Sequence, residues 1–171
     1  MAANRVGKTI AGAYEVRLHA TGRYPDWWEG RRFSQPTRCW AAGKTSLTTR
    51  DIVQNTLFGE VKDLPGGRRT LLGNMVRPDE MGEITWRQNV ADLADTVRVR
   101  HVSGGWSSIG LKTYEQGRGA FEGTAMHVIW FDEEPPGDVY EEALIRTMTT
   151  SGLTILTFTP LEGMSEVVQK F

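Results

Sequence analysis

The stretch from His127 to Glu134 reads His-Val-Ile-Trp-Phe-Asp-Glu-Glu, a largely apolar run that ends in three carboxylates. Apolar runs of this length are typical of a strand that is buried on both faces of a parallel sheet. Carboxylates at the C-terminal end of such a strand lie where α/β proteins bind their ligands. Asp132 and Glu133 therefore fit a Walker B element, which predicts a phosphate-binding loop elsewhere in the chain.

Residues 2–9 match such a loop, because Ala-Ala-Asn-Arg-Val-Gly-Lys-Thr follows the phosphate-loop pattern with alanine in the first glycine position. In this motif backbone N–H groups surround the phosphates, the lysine reaches the β- and γ-phosphates, and the threonine hydroxyl binds Mg²⁺. The segment after it reads as a helix, whose positive end would point at the anion. The predicted nucleotide-binding residues are Asn4, Arg5, Val6, Gly7, Lys8 and Thr9.

Composition limits the class of protein. A chain of 171 residues is expected to form one domain, and its net charge of −1 gives no general argument for a nucleic-acid partner. The single cysteine, Cys39, excludes an internal disulfide and fits a reducing compartment. No apolar run approaches the roughly 18 residues of a membrane span, and no signal peptide is recognised, so no membrane association is expected. The many glycines favour a loop-rich α/β protein over a helical bundle.

The predicted elements alternate between helix and strand. The first half of the chain is predicted to contain a helix over 8–20, a strand over 37–42, a helix capped by Ser46 or Thr48 and ending at Phe58, and a helix between Pro78 and Ala94. A hairpin of 96–102 with 106–114 and a strand over 127–131 follow. The last predicted elements are a helix from a capping box at Asp138 and Glu141 to about Thr150, a strand over 153–159 and a helix from Met164. This order predicts an α/β fold with a mostly parallel sheet and an inserted β-hairpin.

A second Gly-Lys-Thr, Gly43 to Thr45, is interpreted as an ordinary strand-to-helix loop, because a predicted strand occupies the place where a phosphate loop would lie. The histidines His19, His101 and His127 lack metal-ligand spacing with Cys39, and His127 is expected to be a hydrogen-bonded strand residue. Arg68 and Arg69 are expected to face solvent.

An aromatic and basic loop follows the first helix and contains Trp27-Trp28 and Arg31-Arg32. Two interpretations remain open for it. The tryptophans and arginines could form a stacking and phosphate-binding patch. Alternatively, the loop packs back onto the domain through its tryptophans.

The chain resembles the ATPase domain of the terminase large subunits of tailed bacteriophages or prophages, over nearly its whole length. The matching stretches are residues 3–9, 22–33, 101–106, 114–123, 128–136 and 156–163. The last two are the most specific, because they combine a Walker B strand with a coupling motif in the right order. The resemblance implies a three-layer P-loop NTPase fold of the ASCE type, in which the strand before the phosphate loop is missing. It implies a single partial ATPase domain over 1–171, without the family's C-terminal nuclease domain.

The resemblance also implies roles for individual residues. Lys8 would bind the β- and γ-phosphates of ATP, and Thr9 and Asp132 would bind Mg²⁺. Glu133 would be the catalytic base that orients and deprotonates the attacking water, and Thr157 and Thr159 would form the coupling motif. A possible arginine finger is Arg118, while Arg5 could sense the γ-phosphate instead.

The implied function is ATP hydrolysis that powers translocation of double-stranded phage DNA into a procapsid. The implied partners are double-stranded DNA, a portal protein, a small terminase subunit and further copies of the large subunit in a ring. The implied location is the cytoplasm of the bacterial host, at the procapsid portal.

Three alternatives stay open at this point. A helicase-like, nucleic-acid-dependent ATPase shares the phosphate loop, the Asp-Glu pair and a threonine-bearing strand. A catalytically inactive prophage remnant would keep the fold without turnover. A two-metal nuclease cluster at Asp132, Glu133 and Glu134 is a third, although successive strand residues point to opposite faces.

Overall fold

The computed structural model describes residues 7–159 and Val167, and its centre is a six-stranded sheet in the order β4-β5-β6-β1-β7-β8. The helices are α1 (Lys8–Thr21), α2 (Ser46–Thr48), α3 (Asn55–Phe58) and α4 (Gly137–Met148). The strands are β1 (Arg38–Gly43), β2 (Val61–Leu64), β3 (Arg68–Leu71), β4 (Met81–Trp86), β5 (Ala94–Arg100), β6 (Trp106–Thr113), β7 (Val128–Asp132) and β8 (Leu153–Thr157). Strands β2 and β3 form a separate two-stranded sheet.

The pairing directions confirm the predicted sheet. Strand β1 runs parallel to β6 and β7, and β7 runs parallel to β8. The predicted hairpin is the antiparallel pair β5 and β6, and β4 extends it at the edge. The C-terminal ends of β1, β6, β7 and β8 therefore meet at one edge of the sheet.

Two cores cover the two faces of the sheet, which gives the expected three layers. Alternate residues of β7 separate between them: Val128 and Trp130 lie in the core beneath α1, and Ile129 and Phe131 lie in the core beneath α4. All four side chains are fully buried. The sequence of a strand that is buried on both faces is a continuous apolar run. For this reason apolar and polar residues do not alternate in the stretch before Asp132.

One predicted helix and one predicted helix cap are wrong. The segment predicted as a helix between Pro78 and Ala94 is a short 3₁₀ turn (Pro78–Glu80) followed by strand β4. Its β-branched and aromatic residues suit an edge strand, and pairing with β5 outweighs the weak helical pattern. Helix α4 has Pro136 as its N-cap without a side-chain cap, so Asp138 lies in the first turn and forms no capping box.

The helical segment that ends at Phe58 is confirmed, but Thr45 provides its cap, in place of Ser46 or Thr48. Between α2 and α3 the chain forms a π-helical stretch (Thr49–Gln54). The predicted helix from Met164 lies outside the described residues. Within the described part of the chain, every helix is too short or too polar to cross a membrane.

Candidate active site

Three elements bring the predicted site residues together at the C-terminal edge of the sheet. Helix α1 supplies Lys8 and Thr9 from its first turn, and β7 and β8 end at Asp132 and Thr157, which are paired in register. The Thr9 hydroxyl donates to Asp132 Oδ1 at 2.9 Å, and Lys8 Nζ donates to Thr159 Oγ1 at 2.8 Å. Residues separated by more than 120 positions in sequence thus share one site.

Gly7 is the N-cap residue of α1. It precedes α1 with φ of 79°, in the left-handed region that glycine enters without a Cβ penalty. No described atom lies within 4 Å of where a Cβ at this position would be, so conformation and not space favours glycine here. The amide of Ala11 bonds the Gly7 carbonyl at 2.9 Å, which starts the helix. The predicted binding residues Asn4, Arg5 and Val6 lie outside the described residues.

Asp132 is a buried carboxylate, 6% exposed, that accepts two hydroxyl hydrogen bonds on one oxygen. Thr9 and Thr157 each donate to Oδ1 at 2.9 Å. Burial raises the Asp132 pKa above its usual range, and the charge of Glu133 adds to this, while the two hydroxyls and Lys8 lower it. The net direction is upward, so the described residues compensate the charge of this carboxylate only in part.

Trp130 extends this hydrogen-bond chain toward the centre of the domain. Its indole Nε1 donates to Thr157 Oγ1 at 2.7 Å. Because an indole N–H can only donate, Thr157 accepts there and its own proton is available for Asp132. Gly12 of α1 makes room for the ring, since a Cβ at this position would lie 2.4 Å from Trp130 Nε1. In the sequence, Trp130 and Gly12 read as ordinary core and helix residues, so their part in the site was missed.

Glu133 follows the end of β7 and has φ of 69°, one of three non-glycine residues with positive φ among the described residues. Such a conformation costs a non-glycine residue about 1–2 kcal/mol. The amide of Glu133 donates to the Thr157 carbonyl at 3.1 Å. The buried Tyr114 hydroxyl lies 3.0 Å from the Asp132 carbonyl and 2.8 Å from the Glu133 carbonyl. Tyr114 belongs to one of the stretches that carry the family resemblance, but no pattern in the sequence signals this contact.

Arg118 is bound to a carboxylate of its own chain. Its Nη2 atom lies 3.0 Å from Glu142 Oε2, and its Nε donates to the same oxygen. Glu142 is buried, while the Arg118 side chain is 53% exposed. The arginine is therefore accessible at the surface but held by a buried carboxylate.

The second Gly-Lys-Thr is a capped helix start, as interpreted from the sequence. The Thr45 hydroxyl accepts from the Thr48 amide at 3.1 Å, and the Thr45 amide donates to Thr48 Oγ1 at 2.9 Å. This reciprocal pairing commits the Thr45 hydroxyl to capping. Lys44 is exposed in the same turn.

The aromatic and basic loop contacts the domain through Trp28, which favours the second of its two interpretations for that tryptophan. Trp28 contacts the His19 ring edge-on at 5.9 Å and donates to the Arg31 carbonyl at 3.0 Å. Arg31 in turn donates to the Thr150 and Ser151 carbonyls. Trp27 is 67% exposed, and Arg31 and Arg32 are exposed as well.

The remaining titratable candidates have structural environments. The His127 ring accepts from the Arg38 amide at 3.0 Å, as expected of a hydrogen-bonded residue at a strand. Burial raises the pKa of the Cys39 thiol to about 12, so this cysteine is not a nucleophile. Arg68 and Arg69 are exposed on the β2–β3 hairpin, as expected. Across residues 7–159, no three His, Cys, Asp or Glu side chains are grouped closely enough to hold a metal by themselves.

The donor set at the sheet edge nevertheless suits Mg²⁺ bound together with a phosphate ligand. Mg²⁺ takes hard oxygen ligands, keeps several waters and usually binds one or two carboxylates of the protein. Thr9 Oγ1 and Asp132 Oδ1 are such oxygens and lie 2.9 Å apart. A cation there would compensate the buried charge that raises the Asp132 pKa. Lys8 and the positive end of α1 add attraction for an anion.

Comparisons with known proteins show the family and the fold of the chain. The family model described as terminase large subunit, T4likevirus-type, N-terminal, matches residues 1–171. The terminase large subunit of Salmonella phage P22 is 38% identical over 192 residues, an alignment that covers 100% of this chain and 37% of the relative. The chain thus spans little more than a third of that relative's length.

Two solved structures share the fold. An ATPase-domain mutant of the large terminase of Thermus phage P74-26 matches with a TM-score of 0.53 and 15% identity, over 95% of this chain and 59% of that chain. The large terminase of a thermophilic bacteriophage, in complex with ADP, matches with a TM-score of 0.54 and 14% identity, over 98% of this chain and 42% of that chain. The fold is therefore that of large terminase ATPase domains, and the chain belongs to the terminase large-subunit family.

Proposed function

We propose that this chain hydrolyses ATP at the edge of the sheet and serves as the ATPase domain of a phage DNA-packaging motor. One observation carries the proposal. Thr9 and Asp132, 123 residues apart, meet at 2.9 Å beside Lys8, at the carboxyl ends of parallel strands. This is the relation between a phosphate loop and a Walker B carboxylate that the sequence predicts. The ADP bound to one structural neighbour supports a nucleotide ligand.

In the proposed mechanism the phosphate-binding half of the site comes from α1 and the loop before it. Lys8 binds the β- and γ-phosphates, and Asn4, Arg5, Val6 and Gly7 belong to the surrounding loop. Thr9 and Asp132 would hold Mg²⁺, which would supply positive charge to neutralise the phosphates. Catalysis of phosphoryl transfer depends chiefly on such positioning and charge stabilisation.

The water-activating half comes from the ends of β7 and β8. Glu133 is exposed beside the buried Asp132 and is the proposed base for the attacking water. Thr157 and Thr159 are the proposed coupling residues. They bond Asp132 and Lys8 respectively, at 2.9 and 2.8 Å, so both halves of the site contact the end of β8.

The proposed partners follow from the family and not from the described residues. They are double-stranded DNA, the portal protein, the small terminase subunit and further large subunits in a ring, in the bacterial cytoplasm at the procapsid portal. Arg118 is the proposed arginine finger for a neighbouring subunit. It would have to leave Glu142, to which it is bonded at 3.0 Å, in order to act there.

The decisive test compares Glu133→Gln with Glu134→Gln as a matched control, by measuring ATP binding and ATP turnover with Mg²⁺ and with EDTA. Glu133→Gln should bind ATP normally and turn it over roughly 10²–10⁴-fold more slowly, because it keeps the metal ligand and removes the base. Glu134→Gln should stay within about twofold of the unchanged chain, and EDTA should stop turnover. Normal turnover by Glu133→Gln would contradict the proposed mechanism.

A further inference from the structure

Glu133 is oriented by its backbone. Its side chain is exposed, and within residues 7–159 its carboxylate forms no hydrogen bond or ion pair with another side chain. The backbone of Glu133, with φ of 69°, sets the direction in which its side chain leaves the main chain. A left-handed conformation at a non-glycine residue persists only where the surrounding structure holds it.

Two contacts hold this residue, one from each side. From β8, the Thr157 carbonyl accepts from the Glu133 amide at 3.1 Å. From the end of β6, the Tyr114 hydroxyl lies 3.0 Å from the carbonyl before Glu133 and 2.8 Å from its own carbonyl. One hydroxyl proton is thus shared between the two carbonyl oxygens that flank the left-handed φ and ψ.

Tyr114 itself is rigidly placed. It is 8% exposed and packs against Phe131 of β7 with ring centroids 5.9 Å apart. Burial, together with the charges of Asp132 and Glu133, raises the pKa of its hydroxyl, so the group remains a protonated donor. A buried tyrosine hydroxyl needs some partner, but this one meets the two peptide groups that determine where Glu133 points.

We propose that Tyr114 is a positioning residue that holds the backbone of Glu133 in its left-handed conformation and so aims the carboxylate at the attacking water. The inference rests on the proposed role of Glu133 as the base. It adds a residue from the end of β6, two strands away from β7, to a site otherwise built from α1, β7 and β8.

The test is Tyr114→Phe, which keeps the ring and removes only the hydroxyl. The matched control is Tyr24→Phe, which also removes a hydroxyl that bonds backbone, here the Phe33 amide at 2.8 Å. Steady-state ATP turnover should show kcat reduced about tenfold by Tyr114→Phe, since loss of one hydrogen bond of ~1.4 kcal/mol is worth that factor. The KM for ATP should change less than about twofold, because Lys8, Thr9 and Asp132 are untouched. Tyr24→Phe should leave both parameters unchanged.

A second comparison separates positioning from general stability. In a Glu133→Gln background, single-turnover measurements should show that adding Tyr114→Phe slows hydrolysis by less than about twofold, because the group that Tyr114 aims is gone. Hydrogen exchange at the Glu133 amide should be faster in Tyr114→Phe than in the unchanged chain, since the peptide that bonds Thr157 is less restrained.

Several results would overturn the inference. An unchanged kcat in Tyr114→Phe would do so. A KM for ATP that rises by the same factor as kcat/KM falls would also do so, and so would a tenfold slowing of hydrolysis by Tyr114→Phe that persists in the Glu133→Gln background. Slow turnover by Glu133→Gln with normal turnover by Tyr114→Phe would overturn this inference alone. Normal turnover by Glu133→Gln would instead overturn the proposed function, and the role of Tyr114 with it.

Discussion

The substitution Gly12→Ala sets two physical effects against each other inside α1. Gly12 is in the interior of a 14-residue helix, where replacing glycine by alanine ordinarily adds about 0.8–1.0 kcal/mol to the free energy of unfolding. In this structure the added Cβ would lie 2.4 Å from Trp130 Nε1, 2.6 Å from Trp130 Cε2 and 3.0 Å from Thr157 Cγ2. Ordinary contacts between carbon atoms are about 3.5–4.0 Å, so the indole would have to move by about 1 Å.

The indole cannot move freely, because Trp130 is fully buried in a central strand. Overpacking of this kind costs about 1–3 kcal/mol. Displacement also breaks the Trp130–Thr157 hydrogen bond of 2.7 Å, worth about 0.5–1.5 kcal/mol. After the helix gain is subtracted, the free energy of unfolding should fall by about 0.5–3.5 kcal/mol. At about 2–4 °C per kcal/mol for a domain of this size, a mid-range loss lowers Tm by about 4–8 °C.

The assay is thermal and urea unfolding followed by circular dichroism. Ala11→Gly is the control, because it makes the reverse exchange at an exposed position of the same helix. It should lower stability by about 1 kcal/mol through helix propensity alone. If Gly12→Ala raises Tm, the gain in helix propensity exceeds the cost of overpacking, and Trp130 does not pack against α1 as described.

Two further predictions concern the charged groups of the site. Without ligands, Asp132→Asn should raise Tm, because asparagine can still accept from the site hydroxyls while the buried charge is removed. Since the Asp132 pKa is raised in the folded state, the native carboxyl holds its proton more tightly than the unfolded one, whose pKa is about 3.9. The stability advantage of Asp132→Asn over the unchanged chain should thus grow as the pH rises through and above that value, and an advantage that shrinks would contradict the argument. In nucleotide titrations with Mg²⁺, Lys8→Ala should abolish ATP binding, whereas Lys44→Ala should leave it intact; equal losses would mean that the second Gly-Lys-Thr also serves the nucleotide.

The parts of the fold that the sequence predicts well are those determined locally. The apolar run before Asp132 is long enough to identify a buried strand, and the carboxylates after it identify the ligand edge of the sheet. The period-two pattern and the turn at Ser103 identify the β5–β6 hairpin. The glycine, lysine and threonine at residues 7–9 are recognised because their spacing matches the phosphate-loop pattern.

The features that sequence reasoning missed depend on tertiary register. Strand β4 forms because β5 offers an edge, and nothing within residues 81–86 reveals that partner. Tyr114 reaches Glu133 only because β6 and β7 flank β1, and Trp130 reaches Thr157 only because Asp132 and Thr157 are opposite each other. A single sequence shows neither the strand order nor the register, so hydrogen bonds between these side chains could not be inferred from it.

The strand order has a consequence for how the domain is made. The central strand β1 pairs with β6 and β7, and the site closes only when Asp132 lies beside Thr157. A ribosome-bound chain that ends before β8 can therefore contain Lys8, Thr9 and Asp132 without having the bonds that Thr157 makes. Because contacts between residues that are distant in sequence form slowly, we expect the pairing of Asp132 with Thr157 to form among the last steps of folding.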